Sequence, residues 1–205
     1  MGPRDSFFET LAQQHWAVAD DLIDPALHEH LDQESQSIWG QGRFRDALIG
    51  RQHSSSLSAE IRGDAICWLT QGQTGAASDG FLAWADTLRL EMNLLFYAGL
   101  NSVEFHFARY AEGRSYKKHL DQHQRTPHRR ISLVLYLNRQ WANTDGGELC
   151  LYSPDDATQE IKRILPQPGR LVMFRSDLIQ HEVLPCRQPR RSLTGWFRSD
   201  HALAA

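Results

Sequence analysis

The chain has 205 residues, enough to bury one sizeable core, and its formal net charge of −3 argues against bulk affinity for nucleic acid. No apolar run reaches membrane-spanning length, and the N-terminus carries acidic residues where a secretory leader needs a basic start and an apolar core, so a cytoplasmic chain is expected. Cys67, Cys150 and Cys186 are odd in number, far apart and set in apolar stretches, which favours small buried thiols in a reducing compartment over disulfides or a paired-cysteine zinc site.

In chain order, Ser6 with Glu9 three residues later has the capping-box pattern and predicts a helix to about Trp16. Residues 16–20 read as a short strand. Asp24-Pro25 starts a second helix carrying Leu27, Leu31 and Ile38. From Gly40 to Glu60 periodicity dissolves into Gly, Arg, Ser and Gln, including Ser54-Ser55-Ser56, and a long loop or irregular hairpin is expected. Residues 65–69 are a strand and Gly72 to Gly75 a turn. Residues 79–97 place Phe81, Leu82, Ala85, Leu88, Met92, Leu95 and Phe96 at helical spacing, and Gly99 ends that helix. From Val103 the period becomes that of strands, at 103–110, 115–121, 130–138, 147–152, 160–165, 170–174, 181–185 and 191–197. The expectation is one α+β domain over residues 1–205, a helical third followed by a jelly roll or barrel from about 103 to 197.

The chemistry concentrates in that second part. In a strand, residues i and i+2 share a face, so His119 and Asp121 aim an imidazole and a carboxylate at one point. A second imidazole from a distant strand would complete two His and one carboxylate on one face of an ion, the arrangement that suits non-haem Fe(II). His181 is the best candidate, because nine positions later Arg190-Arg191 opens the apolar strand Ser192-Leu193-Thr194-Gly195-Trp196-Phe197. His123 has the parity of His119 and Asp121, but three ligands along one extended strand would span about 13 Å, so it reads as a loop or substrate-side residue. His106 and His128 have no comparable neighbour. In the last strand, Arg190, Ser192, Thr194 and Trp196 share one face and Arg191, Leu193, Gly195 and Phe197 the other, so Arg190 should point into the polar interior. Arg114, Lys117, Lys118, Arg125, Arg129 and Arg130 surround the His119–Asp121 strand, either as a solvated face or as steering for an anion.

His119-x-Asp121, His181 and an arginine nine residues on, before a Leu-Thr-Gly-Trp-Phe strand, resemble the Fe(II)- and 2-oxoglutarate-dependent dioxygenases. Ile61-Arg62-Gly63-Asp64 with Trp68, Tyr110, Tyr136-Leu137-Asn138 with Trp141, and Gly146-Gly147-Glu148-Leu149 bring the resemblance to the prolyl 4-hydroxylase group, which includes the hypoxia-inducible-factor prolyl hydroxylases and bacterial relatives. It covers residues 61–197 and implies a double-stranded β-helix with supporting helices. It also implies Fe(II) on His119, Asp121 and His181, and 2-oxoglutarate on Arg190, with Tyr136, Tyr110 and Thr194 near the cosubstrate. Arg62, Asp64, Arg129 and Trp196 would face the substrate, the 40–60 segment would close over it, and ascorbate would be an accessory cofactor. The implied partner is a protein with an exposed proline loop, elongation factor Tu among bacterial members, acted on by a monomer. A hydroxylase of a free amino acid or small metabolite, a zinc hydrolase on the same ligands and a silent jelly-roll binding module remain the competing readings.

Overall fold

The computed structural model describes residues 2–47, 61–122 and 126–201. Helix α1 (Pro3–Gln14) begins earlier than the Ser6 pattern suggests. Pro3 occupies its first position, and the Asp5 carboxylate accepts from the Gly2 N–H at 2.9 Å, so the capping interaction is made one turn upstream. Strand β1 (Trp16–Ala19) follows. Helix α2 (Pro25–Gly40) starts as expected, with Asp24 accepting from the Ala26 and Leu27 amides.

The expected 40–60 loop contains strand β2 (Arg45–Asp46), paired with β3 (Asp64–Trp68); Arg51 and Ser54-Ser55-Ser56 lie outside the described residues. Helix α3 (Ala76–Phe96) opens three residues before the predicted start, because Glu34 of α2 accepts from the Ala77 and Ser78 amides. It ends at Tyr97, which is left-handed at φ 51°, rather than at Gly99. Phe81, Ala85, Leu88 and Met92 are buried, while Leu95 and Phe96 are exposed beyond the packed part of the helix. No helix among the described residues is long and apolar enough to cross a membrane.

Eight strands fill the second part: β4 (Ser102–Tyr110), β5 (Tyr116–His119), β6 (Arg129–Tyr136), β7 (Leu149–Tyr152), β8 (Glu160–Ile164), β9 (Leu171–Arg175), β10 (His181–Val183) and β11 (Arg190–Arg198). They form a larger sheet in the order β1-β9-β6-β11-β4-β3-β2 and a smaller one in the order β5-β10-β7-β8. The sheets face each other as a jelly roll of the double-stranded β-helix type. The larger sheet is two-faced because its strands alternate. Phe105, Phe107, Leu133, Leu135, Leu171, Met173, Leu193 and Phe197 turn outward and form a core with the helices. Ala108, Tyr110, Val134, Tyr136, Val172 and Phe174 turn inward and meet Leu149, Leu151, Ile164 and Val183 of the smaller sheet. Cys67, Cys150 and Cys186 are free and buried, and burial pushes the Cys150 thiol up to about 12.

Strand β11 is the central beam, hydrogen-bonded to β4 on one side and β6 on the other. Gly195 lets β4 approach it: a Cβ there would lie 2.1 Å from the Glu104 carbonyl oxygen and 2.3 Å from Phe105 Cδ1. Gly195→Ala should therefore cost about 1–3 kcal/mol through overpacking. Urea unfolding checks this, and an unchanged midpoint would show that the two strands can separate freely.

Candidate active site

Antiparallel pairing of β5 with β10 sets His119 directly opposite His181. Each imidazole is fixed from behind by its Nδ1, which donates to the Lys117 carbonyl at 2.8 Å for His119 and to the Ile179 carbonyl at 3.2 Å for His181. That tautomer leaves Nε2 free to accept a metal. Asp121 does not lie in the strand, as the predicted 115–121 element has it. Strand β5 stops at His119, and a bend carries the carboxylate inward, 3.6 Å from the Nε2 of each histidine. Ligand atoms of the three residues all lie within 4.8 Å of one another, the single such His/Cys/Asp/Glu group among the described residues.

Electrostatics suits a cation. Burial works to raise the Asp121 pKa, but the two histidines and the Ser132 hydroxyl outweigh it and hold the carboxyl well below its ordinary value. Burial, with His119 beside it, pulls His181 down to about 4, so at neutral pH it is an unprotonated ligand. Ser132 Oγ donates to Asp121 Oδ2 at 2.6 Å and contacts Ser176 Oγ at 2.8 Å. Tyr116 stacks on His119 with ring centroids 3.7 Å apart, and Phe174 lies 4.6 Å from the His181 ring. Ser132 and Tyr116 were not among the sequence candidates, although the inward parity of Ser132 with Val134 and Tyr136 is a usable signal.

The arginine pair divides as strand alternation demands. Arg190 is buried to 2% exposure on the inner face. Its Nε donates to the Gly147 carbonyl at 3.0 Å, and its Cζ lies 5.2 and 4.9 Å from the Tyr110 and Tyr136 rings. No carboxylate among the described residues pairs with it. Gly147, at φ 68°, leaves room for its side chain, since a Cβ would sit 3.1 Å from Arg190 Cδ. Beside the guanidinium the buried Tyr136 hydroxyl meets no hydrogen-bonding group among the described residues other than Arg190, and burial raises the phenol's pKa against the pull of that arginine. Thr194 lies four residues further along the inner face, its Oγ1 3.2 Å from Ser192 Oγ. Arg191 faces the opposite way and forms an ion pair with the fully buried Asp32 at 2.9 Å. A buried guanidinium with a tyrosine hydroxyl beside it, on the inner face of the jelly roll that also holds a His-Asp-His triad, fits a dicarboxylate that also chelates a metal.

On the other flank, Arg62 pairs with Asp64 at 2.7 Å and lies over the Tyr116 ring at 5.1 Å. Arg129 stacks on Trp196 at 3.3 Å and pairs with Glu104 at 2.9 Å. The other cations of the basic cluster are partly engaged: Lys118 lies over the Tyr152 ring and donates to the Ala157 carbonyl, and Arg130 donates to Ser199. His123 and Arg125 lie outside the described residues. Neither His106 nor His128 joins the triad.

Residues 105–198 match the family model of the 2OG-Fe(II) oxygenase superfamily. A prolyl-4-hydroxylase from Pseudomonas putida is 36% identical in sequence and superposes with a TM-score of 0.84, covering 95% of this chain and 98% of that one. A prolyl hydroxylase from Trichoplax adhaerens, solved with a hypoxia-inducible-factor peptide fragment, has the same fold at TM-score 0.84 and 24% identity, covering 95% of this chain and 88% of that one. Egl nine homolog 1 of Rattus norvegicus is 29% identical over 186 residues, 88% of this chain and 54% of its own length, so the chain spans about half of that curated relative.

Ser132 supports the ligand Asp121 without being a ligand itself, so its loss tests how far the carboxylate depends on that support. Ser132→Ala should leave the fold intact and weaken Mn(II) binding about 10–100-fold, the usual effect of removing such a partner. Electron paramagnetic resonance titration of Mn(II) reads it, and wild-type affinity would mean that the bend alone positions Asp121.

Proposed function

Because the chain belongs to the 2OG-Fe(II) oxygenase superfamily, we propose that it is an Fe(II)- and 2-oxoglutarate-dependent dioxygenase that hydroxylates a prolyl residue of a protein. His119, Asp121 and His181 would hold the iron. When bound, the iron supplies oxygen activation, coupled to conversion of 2-oxoglutarate to succinate and CO2. The chain's own residues do the positioning. Arg190 grips the distal carboxylate of the cosubstrate through parallel hydrogen bonds, a geometry lysine cannot reproduce. Tyr136, beside Arg190, adds its hydroxyl to the same carboxylate. Tyr110 and Thr194 line the inner face around it, and the packed rings of Tyr110 and Tyr136 keep water from the pair. Arg62, Asp64, Arg129 and Trp196 act on the substrate side of the triad.

The observation that carries this reading is the buried guanidinium of Arg190, paired with no carboxylate among the described residues, in the same jelly roll as three convergent metal ligands. The prolyl target is supported by the Pseudomonas putida relative, and a protein rather than a free amino acid by the Trichoplax adhaerens enzyme, which was solved with a peptide. Elongation factor Tu is the first substrate to test, with ascorbate as an added reductant and the enzyme acting as a monomer.

Incubation of bacterial elongation factor Tu, and of a library of proline-centred peptides, with enzyme, Fe(II) and 2-oxoglutarate should add one oxygen atom to a prolyl residue. Tandem mass spectrometry locates it. His119→Ala, Asp121→Ala and His181→Ala should each abolish the increment, because three ligands leave no redundancy. An oxygen found on a free amino acid instead would move the substrate to the small-molecule class. Anaerobic calorimetry with Mn(II) addresses the cosubstrate. Arg190→Ala should lose roughly 2–5 kcal/mol of 2-oxoglutarate affinity, tens- to thousands-fold, with the metal still bound. Arg191→Ala should keep that affinity and lose stability instead, since the buried Asp32 would lose a partner. Equal affinities for wild type and Arg190→Ala would remove Arg190 from the cosubstrate site.

A further inference from the structure

One inner-face histidine has no part in the triad or the cosubstrate site. His106 of β4 pairs across the sheet with Trp68 of β3 and with Thr194 of β11. Trp68 lies 4.8 Å from it edge-on, Trp196 lies 5.6 Å away, and the two tryptophan rings are themselves 6.4 Å apart. Three rings therefore form one wall. This wall adjoins the triad: Trp196 is the register partner of Ser132, whose hydroxyl holds Asp121.

Two polar atoms in the wall have no hydrogen-bond partner among the described residues, Nδ1 of His106 and Nε1 of Trp196. Their residues are only 1% and 4% exposed. Buried polar atoms are nearly always paired, because each unpaired one forfeits its hydration for nothing. Two together beside a candidate reaction centre point to a ligand that completes them. Trp Nε1–H is a donor only, and a neutral imidazole donates from Nδ1 in one of its tautomers. His106 is held neutral: burial pulls its pKa to about 3, Arg62 and Arg129 push the same way, and Asp64 and Asp121 oppose them without prevailing. Trp68 is 46% exposed, so the wall has one edge open to solvent.

We propose that His106 and Trp196 form a neutral donor pair that recognises a backbone carbonyl oxygen flanking the target residue of the substrate. The inference rests on the prolyl reading, and it explains why the wall supplies donors. The amide nitrogen of a prolyl residue carries no hydrogen, so the backbone around the target ring offers mainly carbonyl oxygens. Two neutral donors can share the two lone pairs of one such oxygen without introducing a further charge beside the metal ligands. His106 is then a substrate-positioning residue that sets which carbon of the target faces the triad.

The test separates hydrogen bonding from ring packing. His106→Phe keeps an aromatic ring against the two tryptophans, whereas His106→Gln keeps an uncharged donor. With elongation factor Tu or any library peptide that wild type hydroxylates, His106→Phe should raise KM several-fold to about tenfold and alter kcat less. It should also release succinate with fewer oxygen atoms delivered to the peptide. His106→Gln should recover most of the loss, and both should bind Mn(II) and 2-oxoglutarate as wild type does. Trp196→Phe carries the same test should His106→Phe not fold. If wild type hydroxylates and His106→Phe and Trp196→Phe both match its KM and coupling, the pair is packing or holds water, and this proposal fails while the prolyl reading stands. If wild type binds 2-oxoglutarate but oxidises no prolyl residue, the prolyl reading falls and takes this one with it.

Discussion

A guanidinium enclosed in a jelly roll without a carboxylate beside it is costly: an ion taken out of water loses several kcal/mol of hydration unless something of opposite charge replaces it. Arg190 is in that position, and the surrounding structure is shaped to hold it there. Asn138 accepts from the Arg191 amide at 2.6 Å and donates to the Pro189 carbonyl, which fixes where β11 begins and so which residue turns inward. Gly147 gives up its side chain so that the arginine can pass, and its carbonyl takes the Nε–H. Two tyrosine rings lie against the guanidinium. The neighbouring arginine had the same chemistry available and a carboxylate to pair with, Asp32, which it uses. Among the described residues no carboxylate pairs with Arg190, and the proposed cosubstrate would supply one.

The division of the larger sheet into two faces explains how such a site is affordable. Its outer face and the three helices form an apolar core rich in Phe and Leu, which supplies hydrophobic stabilisation independent of the site. That frees the inner face to carry Ser132, His106, Ser192 and Arg190, all buried and none helpful to a dry core. Between the sheets, the metal ligands come from the smaller sheet and its adjoining bend, and the candidate cosubstrate residues from the larger one. Closing the jelly roll therefore assembles the site.

Strand alternation made much of this legible from residues alone. The choice of Arg190 over Arg191 as the inward arginine needs only the period of two, and it matches the burial of one and the Asp32 pairing of the other. The eight strands after Val103 followed from the same period. Features that depend on a distant partner were not legible. The early start of α3 needs Glu34 from another helix, and β2 exists because β3 offers it an edge. Asp121 reaches the triad through a bend, so expecting it within a strand placed it correctly by the wrong local geometry. Ser132 and His106 look like ordinary strand residues until their neighbours across the sheet are known.

The central claim is that Arg190 exists to bind the distal carboxylate of 2-oxoglutarate, and a ligand pair tests it most directly. 2-Oxobutyrate has the same chelating 2-oxo acid end but no distal carboxylate. Calorimetry on the Mn(II)-loaded protein under anaerobic conditions should find 2-oxoglutarate bound at least about tenfold more tightly than 2-oxobutyrate. In Arg190→Ala that preference should vanish, with 2-oxobutyrate affinity nearly unchanged. A preference for 2-oxoglutarate that survives the substitution would contradict the account and place the carboxylate elsewhere.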